Sequence, residues 1–276
     1  MTHMIYVVPS LKAKEKLQEE GKAWAESQGF AYVPRGKRTI QDLMDEYGED
    51  FLVYSSWGPQ IDRPEGSHFF SLNMAELRIQ NLRKGQRDHL LEALMGVKEH
   101  GLRPAAAQPP VTVLDCTCGF GADAAVASFG LPAGSRVDAL EVSPLLEAVT
   151  AWGLSHFVHK KDDVTAALRR ISLRCDDYRD YLLSDEGPVY DVLYFDPMFQ
   201  RPVEASCQFQ PVRAIMEHGG LTRELIERAL QKARRRVVIK ERDFRQLCRD
   251  FPDVTLYGGK YSRIGYAVLE CDSWKK

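Results

Sequence analysis

VTVLDCTCGFGADAAVA, residues 111–127, starts as a short apolar run rich in β-branched side chains and closes that run on Asp115. A loop holding Gly119 and Gly121 follows, then an Ala-rich run suited to a helix. Strand, glycine loop and helix in that order make the nucleotide-cofactor turn of a doubly wound α/β sheet. Glycine is needed because the backbone must bend sharply there and let a cofactor approach its N–H groups. Two cofactors compete for such a turn. Gly119, Gly121 and Ala124 satisfy the dinucleotide pattern G-x-G-x-x-A. An acid closing the strand ahead of G-F-G fits a turn for S-adenosylmethionine (SAM) better.

Composition narrows the classes open to the rest of the chain. With 276 residues, 44% hydrophobic and 28% charged, the chain can bury a sizeable core and remain soluble. No apolar run approaches the roughly 20 residues of a membrane span. The opening MTHMIYVVPSLKAK lacks the long apolar core and small-residue cleavage site of a signal peptide. Six scattered cysteines, none in a C-x-x-C pair, read as reduced thiols in a cytoplasmic protein. Cys116 and Cys118 suit the glycine loop as small side chains; a C-x-C metal clip would need a second Cys/His pair at ligand spacing, so no metal is expected. The net charge of −2 excludes a wholly basic nucleic-acid binder but permits a local basic face.

Before the glycine turn, residues 4–8 read as a strand and Ser10 as the cap of a helix to about residue 28, with Leu11, Leu17, Ala23 and Trp24 inward. Residues 30–33 are a strand. Thr39 starts a second helix that ends near Gly48. Residues 51–55 and 68–71 are strand-like, separated by a Gly/Pro-rich connection. A small mixed α/β lobe is thus expected over residues 1–67. A helical approach segment and the linker RPAAAQPP (103–110) cover 68–110, and the core spans 111–276.

Beyond the linker, strands alternate with helices. Strands are expected at 111–115, 136–141, 171–175, 189–195 and 236–239. Helices are expected at 122–129, 143–154, 164–170 and 222–233, Ser143 capping the second with Pro144 in its first turn. Residues 254–257 and 264–269 are expected to form a closing hairpin through Gly258 and Gly259. The fold predicted is α/β, Rossmann-like: a seven-stranded, mostly parallel sheet covered on both faces, with a terminal antiparallel hairpin.

Glu141 ends the second core strand about 20 residues after the glycine loop, where an acid accepts from ribose hydroxyls of either cofactor. Asp176 and Asp177 end the third strand, placed to accept from an adenine amino group or to cap the helix of YRDYLL. Asp123, in a first helical turn, is also favourable there as an acid alone. The deciding stretch is YFDPMF, residues 194–199, at the end of the fourth strand. An aromatic amine is a poor nucleophile because its lone pair is delocalised. A carboxylate such as Asp196 can accept its hydrogens and stabilise the developing positive charge. Pro197 stiffens the turn and Phe199 can stack on a flipped base. The bland alternative is a strand-ending Asp-Pro turn with Phe199 in the core.

DCTCGFGADA (115–124), ALEVSP (139–144), YFDPMF and RRVVIKE (235–241) together resemble the bacterial SAM-dependent small-subunit rRNA guanine-N2 methyltransferases. The closer likeness is to the family's poorly characterised branch in Gram-positive bacteria. It covers roughly residues 69–269 and includes MAELRIQNLRKG (74–85), similar to the family's M-A-x-x-R segment. The resemblance implies a class I methyltransferase fold and cofactor contacts at Ala122, Asp123, Glu141, Val142, Asp176, Asp177 and Asp196, beside Asp115, Gly119 and Gly121 of the turn. The family carries a basic residue after the ribose-facing acid, where Val142 stands here, and the first lobe lies outside the likeness.

Basic residues bear on the partner. Arg234, Arg235, Arg236, Lys240 and Arg242 surround the fifth strand, Arg78, Arg83, Lys84 and Arg87 precede the linker, and Arg35, Lys37 and Arg38 lie in the first lobe. Clusters of this kind are usually solvated faces. If several meet on one side of the crevice they supply phosphate contacts for RNA. Arg201, Arg213, Lys240 and Lys260 are the substrate-binding candidates. The sequence therefore reads as a SAM-dependent methyltransferase acting on a base amine of RNA, guanine in rRNA above all. The alternatives are a methyltransferase for a protein amide or small amine, a non-catalytic SAM-retaining RNA-binding protein, and an NAD-dependent oxidoreductase.

Overall fold

A computed structural model describes residues 4–97, 108–197, 220–258 and 264–274, and the chain divides into two compact units. Residues 4–71 and Ser143–Phe157 form the first; the rest of the described chain forms the second.

In the first unit, β1 (Tyr6–Pro9), α1 (Glu15–Ser27), β2 (Ala31–Tyr32), α2 (Ile40–Tyr47), β3 (Phe51–Ser55), β4 (Gly58–Arg63) and β5 (Gly66–Phe69) build a five-stranded sheet. Its order is β2-β1-β3-β4-β5. Phe51, Val53, Val8 and Leu43 are buried together on one side; Val7, Ala25 and Tyr54 are buried in a second cluster. Thr39 caps α2 reciprocally with Asp42, an arrangement worth about 1 kcal/mol. Two expectations change here. Ser10 does not cap α1, because its N–H continues the sheet by donating to Tyr54 O (2.8 Å); the helix starts at Glu15, leaving Leu11 and Ala23 exposed. The Gly/Pro-rich connection contains a strand, β4, since Val53, Tyr54 and Ser55 pair antiparallel with Gln60, Pro59 and Gly58 across a tight turn. Cross-strand pairing outweighs a composition that reads as loop.

The second unit opens with α3 (Asn73–Arg83) and α4 (His89–Met95). The core alternation follows: β6 (Thr112–Asp115), α5 (Ala122–Gly130), β7 (Arg136–Glu141), α6 (Pro144–His156), α7 (Asp162–Leu168), β8 (Ile171–Cys175), α8 (Tyr178–Leu183) and β9 (Val192–Phe195). It closes with α9 (Arg223–Lys232), β10 (Arg236–Glu241), α10 (Arg245–Asp250), β11 (Thr255–Gly258), β12 (Gly265–Glu270) and α11 (Cys271–Trp274). Of these, α6 belongs to the first unit, where it packs on β4; Ser143 caps it and Pro144 opens it as expected. The sheet order is β11-β12-β10-β9-β6-β7-β8, with β12 antiparallel to both its neighbours and the other pairings parallel. Its strands bury Leu114, Leu140, Leu193, Phe195, Val237 and Ile239 with Tyr178, Tyr181 and Leu230 from the helices. Near-continuous apolar runs in β6, β9 and β10 are what two covered faces require. Among the described residues no helix is long and apolar enough to cross a membrane.

Candidate active site

Parallel strands bring their carboxyl ends to one edge, so Asp115, Glu141, Asp176, Asp177, Asp196 and Lys240 arrive there from β6, β7, β8, β9 and β10. After β6 the backbone crosses at once to its neighbours: Cys116 N–H donates to Tyr194 O (2.8 Å) and Cys118 N–H to Leu140 O (2.9 Å). Gly119 (φ +54°) and Gly121 (φ +73°) take the left-handed conformation that opens the way into α5. A Cβ built on Gly119 would meet only Thr117 O, 4.0 Å away, so the loop presents open backbone there. Glu141 Oε2 accepts from Gly119 N–H (2.9 Å), tying the loop to the end of β7. Ala122 opens α5, and Val142 O lies 3.8 Å from Cys175 Sγ.

Asp177 caps α8 through Arg179 N–H (2.8 Å), and the Arg179 guanidinium grips both its carboxylate oxygens. These bonds outweigh burial and hold the Asp177 carboxyl below its ordinary range. Asp176 is the more open of the two: its side chain is 38% exposed against 19% for Asp177. A left-handed glycine loop with open backbone, flanked by acids at successive strand ends, can receive an adenosine-containing cofactor. The acids suit its ribose and base.

The other half of the site is an ion cluster. Lys240 Nζ sits between Asp196 Oδ2 (2.7 Å) and Asp123 Oδ2 (2.8 Å). Tyr194 Oη donates to the same Asp123 oxygen (2.7 Å), and Arg78 Nη1 donates to Asp123 Oδ1. Arg78 also forks onto Asp88 through Nε (2.7 Å) and Nη2 (2.8 Å). Asp196 is fixed from behind, its N–H donating to Thr117 Oγ1 (2.6 Å), while Thr117 N–H donates to Asp115 Oδ1 (3.1 Å).

Burial penalises every charge here, and partners decide which survive. Burial, with Asp123 nearby, pushes the Asp115 carboxyl well up. For Asp123 burial is outweighed by Lys240 and Arg78, so its carboxyl lies below the usual range. Asp196 is pushed up to about 6 by burial, which Lys240 opposes and Asp123 reinforces. Lys240 lies above the usual lysine range because the two carboxylates outweigh its burial. Asp196 is thus ionised at neutral pH with a pKa near the working range of a general base. Its side chain stays 30% exposed, and among the described residues only Lys240 donates to its carboxylate.

The basic residues fall differently from the sequence reading. Lys240 is 13% exposed and spent on two carboxylates. Arg236 pairs opposite Val192, so residues 234–236 sit at the amino end of β10, across the sheet from Asp196. Arg78 is paired with Asp88 and Asp123, Arg83 with Asp163, Arg87 with Glu92 and Arg38 with Glu46; Arg35 is buried. Most of these charges are therefore paired with neighbouring acids rather than free. Phe199, Arg201, Arg213 and Lys260 lie outside the described residues. Thr117 and Tyr194 join the site only in the fold, and Arg78, a phosphate candidate in the sequence, faces carboxylates instead. The T of D-C-T and the Y before F-D-P were the available signals for the first two.

A seven-stranded sheet of this order, with one antiparallel strand and a glycine turn after β6, its first strand in sequence, defines a class I SAM-dependent methyltransferase. A family model described as "Putative SAM-dependent methyltransferase" matches residues 73–264. The uncharacterized protein YpiP of Bacillus subtilis is 29% identical over 236 residues, covering 85% of this chain and 88% of that one. The ribosomal RNA small subunit methyltransferase J of Thioalkalivibrio sulfidiphilus is 30% identical over 236 residues, covering 83% and 84%. A crystal structure of a SAM-dependent methyltransferase from Neisseria gonorrhoeae shares the fold, with a TM-score of 0.61 at 17% identity over 96% and 95% of the two chains. The chain belongs to the family of SAM-dependent methyltransferases that includes the ribosomal RNA small subunit methyltransferase J proteins.

Proposed function

We propose that this methyltransferase modifies an exocyclic base amine of RNA, guanine N2 of small-subunit rRNA, with Asp196 as the group that receives the amine. The observation that carries the reading is the Asp196 carboxylate: it follows the strand next to the glycine turn, has one oxygen held by Lys240 and is ionised near neutrality. SAM, when bound, supplies the methyl group on a sulfonium. Asp196 accepts hydrogens from the amine, aligns its lone pair and stabilises the positive charge that grows on nitrogen as the bond to carbon forms. The excess proton then has Asp196 as its first acceptor. Pro197 holds the turn, and Phe199 is assigned to stack on the base, with Arg201, Arg213 and Lys260 toward phosphate. Lys240 is assigned to Asp196 rather than to substrate.

The relatives named ribosomal RNA small subunit methyltransferase J favour RNA over a protein amide or a small amine. Incubation with methyl-labelled SAM and naked small-subunit rRNA or the assembled subunit, followed by nucleoside mass spectrometry, is expected to yield 2-methylguanosine. Transfer of label only to protein or small amines would overturn the RNA reading. Affinity for the RNA is expected to fall with salt, each neutralised phosphate adding about −0.7 to the logarithmic slope for single strands.

The cofactor is assigned to Asp115, Gly119, Gly121, Ala122, Asp123, Glu141, Val142, Asp176, Asp177 and Asp196, with Asp123 acting from behind the site through its ion pairs. Glu141→Ala removes both an acid at the ribose position and the acceptor that pins Gly119. Calorimetry is expected to show SAM bound more weakly by about 1–3 kcal/mol. Unchanged affinity would place the ribose elsewhere.

A further inference from the structure

Lys240 is one ammonium serving two carboxylates, Asp123 and Asp196. How much of it Asp196 retains depends on what else meets the demand of Asp123. That demand is met from α3, where Arg78 reaches Asp123 while its other donors fork onto Asp88. Asp88 is itself fixed as the N-cap of α4, accepting from Leu90 N–H (3.0 Å) and Leu91 N–H (3.4 Å). The chain from the α4 cap to Asp196 is continuous: Asp88, Arg78, Asp123, Lys240, Asp196.

We propose that Arg78 is a positioning residue for methyl transfer: by neutralising Asp123 from α3 it leaves the Lys240 ammonium to Asp196 and keeps Asp196 available as a carboxylate. The inference rests on the reading of Asp196 as the group that receives the amine.

The charges around Asp196 show why one arginine matters. Lys240 and Glu241 come from β10, Asp123 from α5, Asp115 from β6, Tyr194 from β9, Tyr266 from β12, Arg78 from α3 and Asp88 from the start of α4. Burial raises Asp115, Tyr194 and Tyr266, so these hold their protons more tightly. That leaves Arg78 and Lys240 against Asp88, Asp123, Asp196 and Glu241. Without Arg78, Lys240 is the single cation of the chain. Asp123, 8% exposed, is less solvated than Asp196, 30% exposed, and so has more to gain from Lys240. Asp196 loses support and holds its proton to higher pH.

The test is the pH profile of kcat/KM for RNA at saturating SAM, from about pH 5 to about pH 9, which reports the groups of the enzyme before RNA binds. The wild-type protein is expected to show an acid limb near pH 6, below which kcat/KM falls about tenfold per pH unit. Arg78→Met is expected to move that limb up by about one pH unit, since it removes a full charge one residue away from the Lys240 pair. The variant then loses about fivefold at pH 6, approaching tenfold below it, and little at high pH, with the KM for SAM unchanged. Arg78→Lys, which keeps the charge, should restore most of the wild-type limb. Asp88→Asn should move it the other way: asparagine still caps α4, and more of the Arg78 charge then falls on Asp123. That opposite shift also decides the matter if Arg78→Met does not fold. A wild-type profile with no limb, or a limb that survives Asp196→Asn, overturns the Asp196 reading and this inference with it. A limb that depends on Asp196 but stays in place in Arg78→Met and Asp88→Asn overturns this inference alone.

Discussion

Asp196→Asn is expected to lower the rate of methyl transfer at saturating SAM by about 10²-fold or more, the size of loss seen when one electrostatic stabiliser of a transition state is removed. Asparagine keeps the size of the side chain and one acceptor oxygen for Lys240. It lacks the charge that stabilises the nitrogen cation and the basicity that takes its proton. The fold should not suffer. Asp196 titrates near 6 in the folded protein against an ordinary value of 3.8, so the folded state favours its protonated form. Ionisation at neutral pH therefore works against folding, and a neutral asparagine escapes that cost. Lys240 retains Asp123 as a partner. The variant is expected to melt no lower than wild type near pH 7 while being almost inactive. Cofactor affinity is measured alongside, so that a weaker KM for SAM is not mistaken for a lost transition-state contact. Near-normal turnover at saturation would make the Asp-Pro turn purely structural.

Lys240→Met should act on stability instead. It leaves Asp123 without its ammonium and Asp196 without a hydrogen-bond donor among the described residues. Removing one partner of a buried ion pair costs up to about 3–5 kcal/mol when the other charge is left uncompensated, and less here because Arg78 and Tyr194 still serve Asp123. Urea denaturation should report it as a drop in midpoint. The pH dependence has a definite sign. Asp123 is held below its ordinary range, so in wild type its ionisation contributes stability above the unfolded carboxyl pKa, and that contribution fades as pH falls. Lys240 supplies much of it. The gap between wild type and Lys240→Met is therefore widest near neutral pH and narrows in acid. If the variant keeps its urea midpoint and merely binds RNA more weakly, Lys240 is a phosphate contact and the cluster is misassigned.

The expected behaviour of Lys240 shows where sequence reading stops. RRVVIKE reads as a buried strand flanked by basic residues, and the strand is there as β10. The charge of Lys240 is equally plain. Its partners are not, because they come from α5 and β9, residues 123 and 196, which adjoin it only through folding. Arg78 is the same case: one of several basic residues before the linker in sequence, it has acids as both its partners in the fold.

Local patterns determined a good deal by themselves. Strand and helix alternation, the glycine turn after Asp115, the caps at Thr39 and Ser143, and the closing hairpin all depend on neighbours within a few residues, so periodicity and turn chemistry carry them. Acids at strand ends were legible because a parallel sheet must bring those ends to one edge. Only the tertiary structure decided that β4 pairs inside a loop-like stretch, that Arg234, Arg235 and Arg236 stand at the far edge of the sheet, and that Asp88, Arg78, Asp123, Lys240 and Asp196 form one chain of charges. Cross-strand pairing and ion pairing are contacts between distant segments. Their strength comes from distance and burial, which exist only once the strand order has set β6, β9 and β10 side by side.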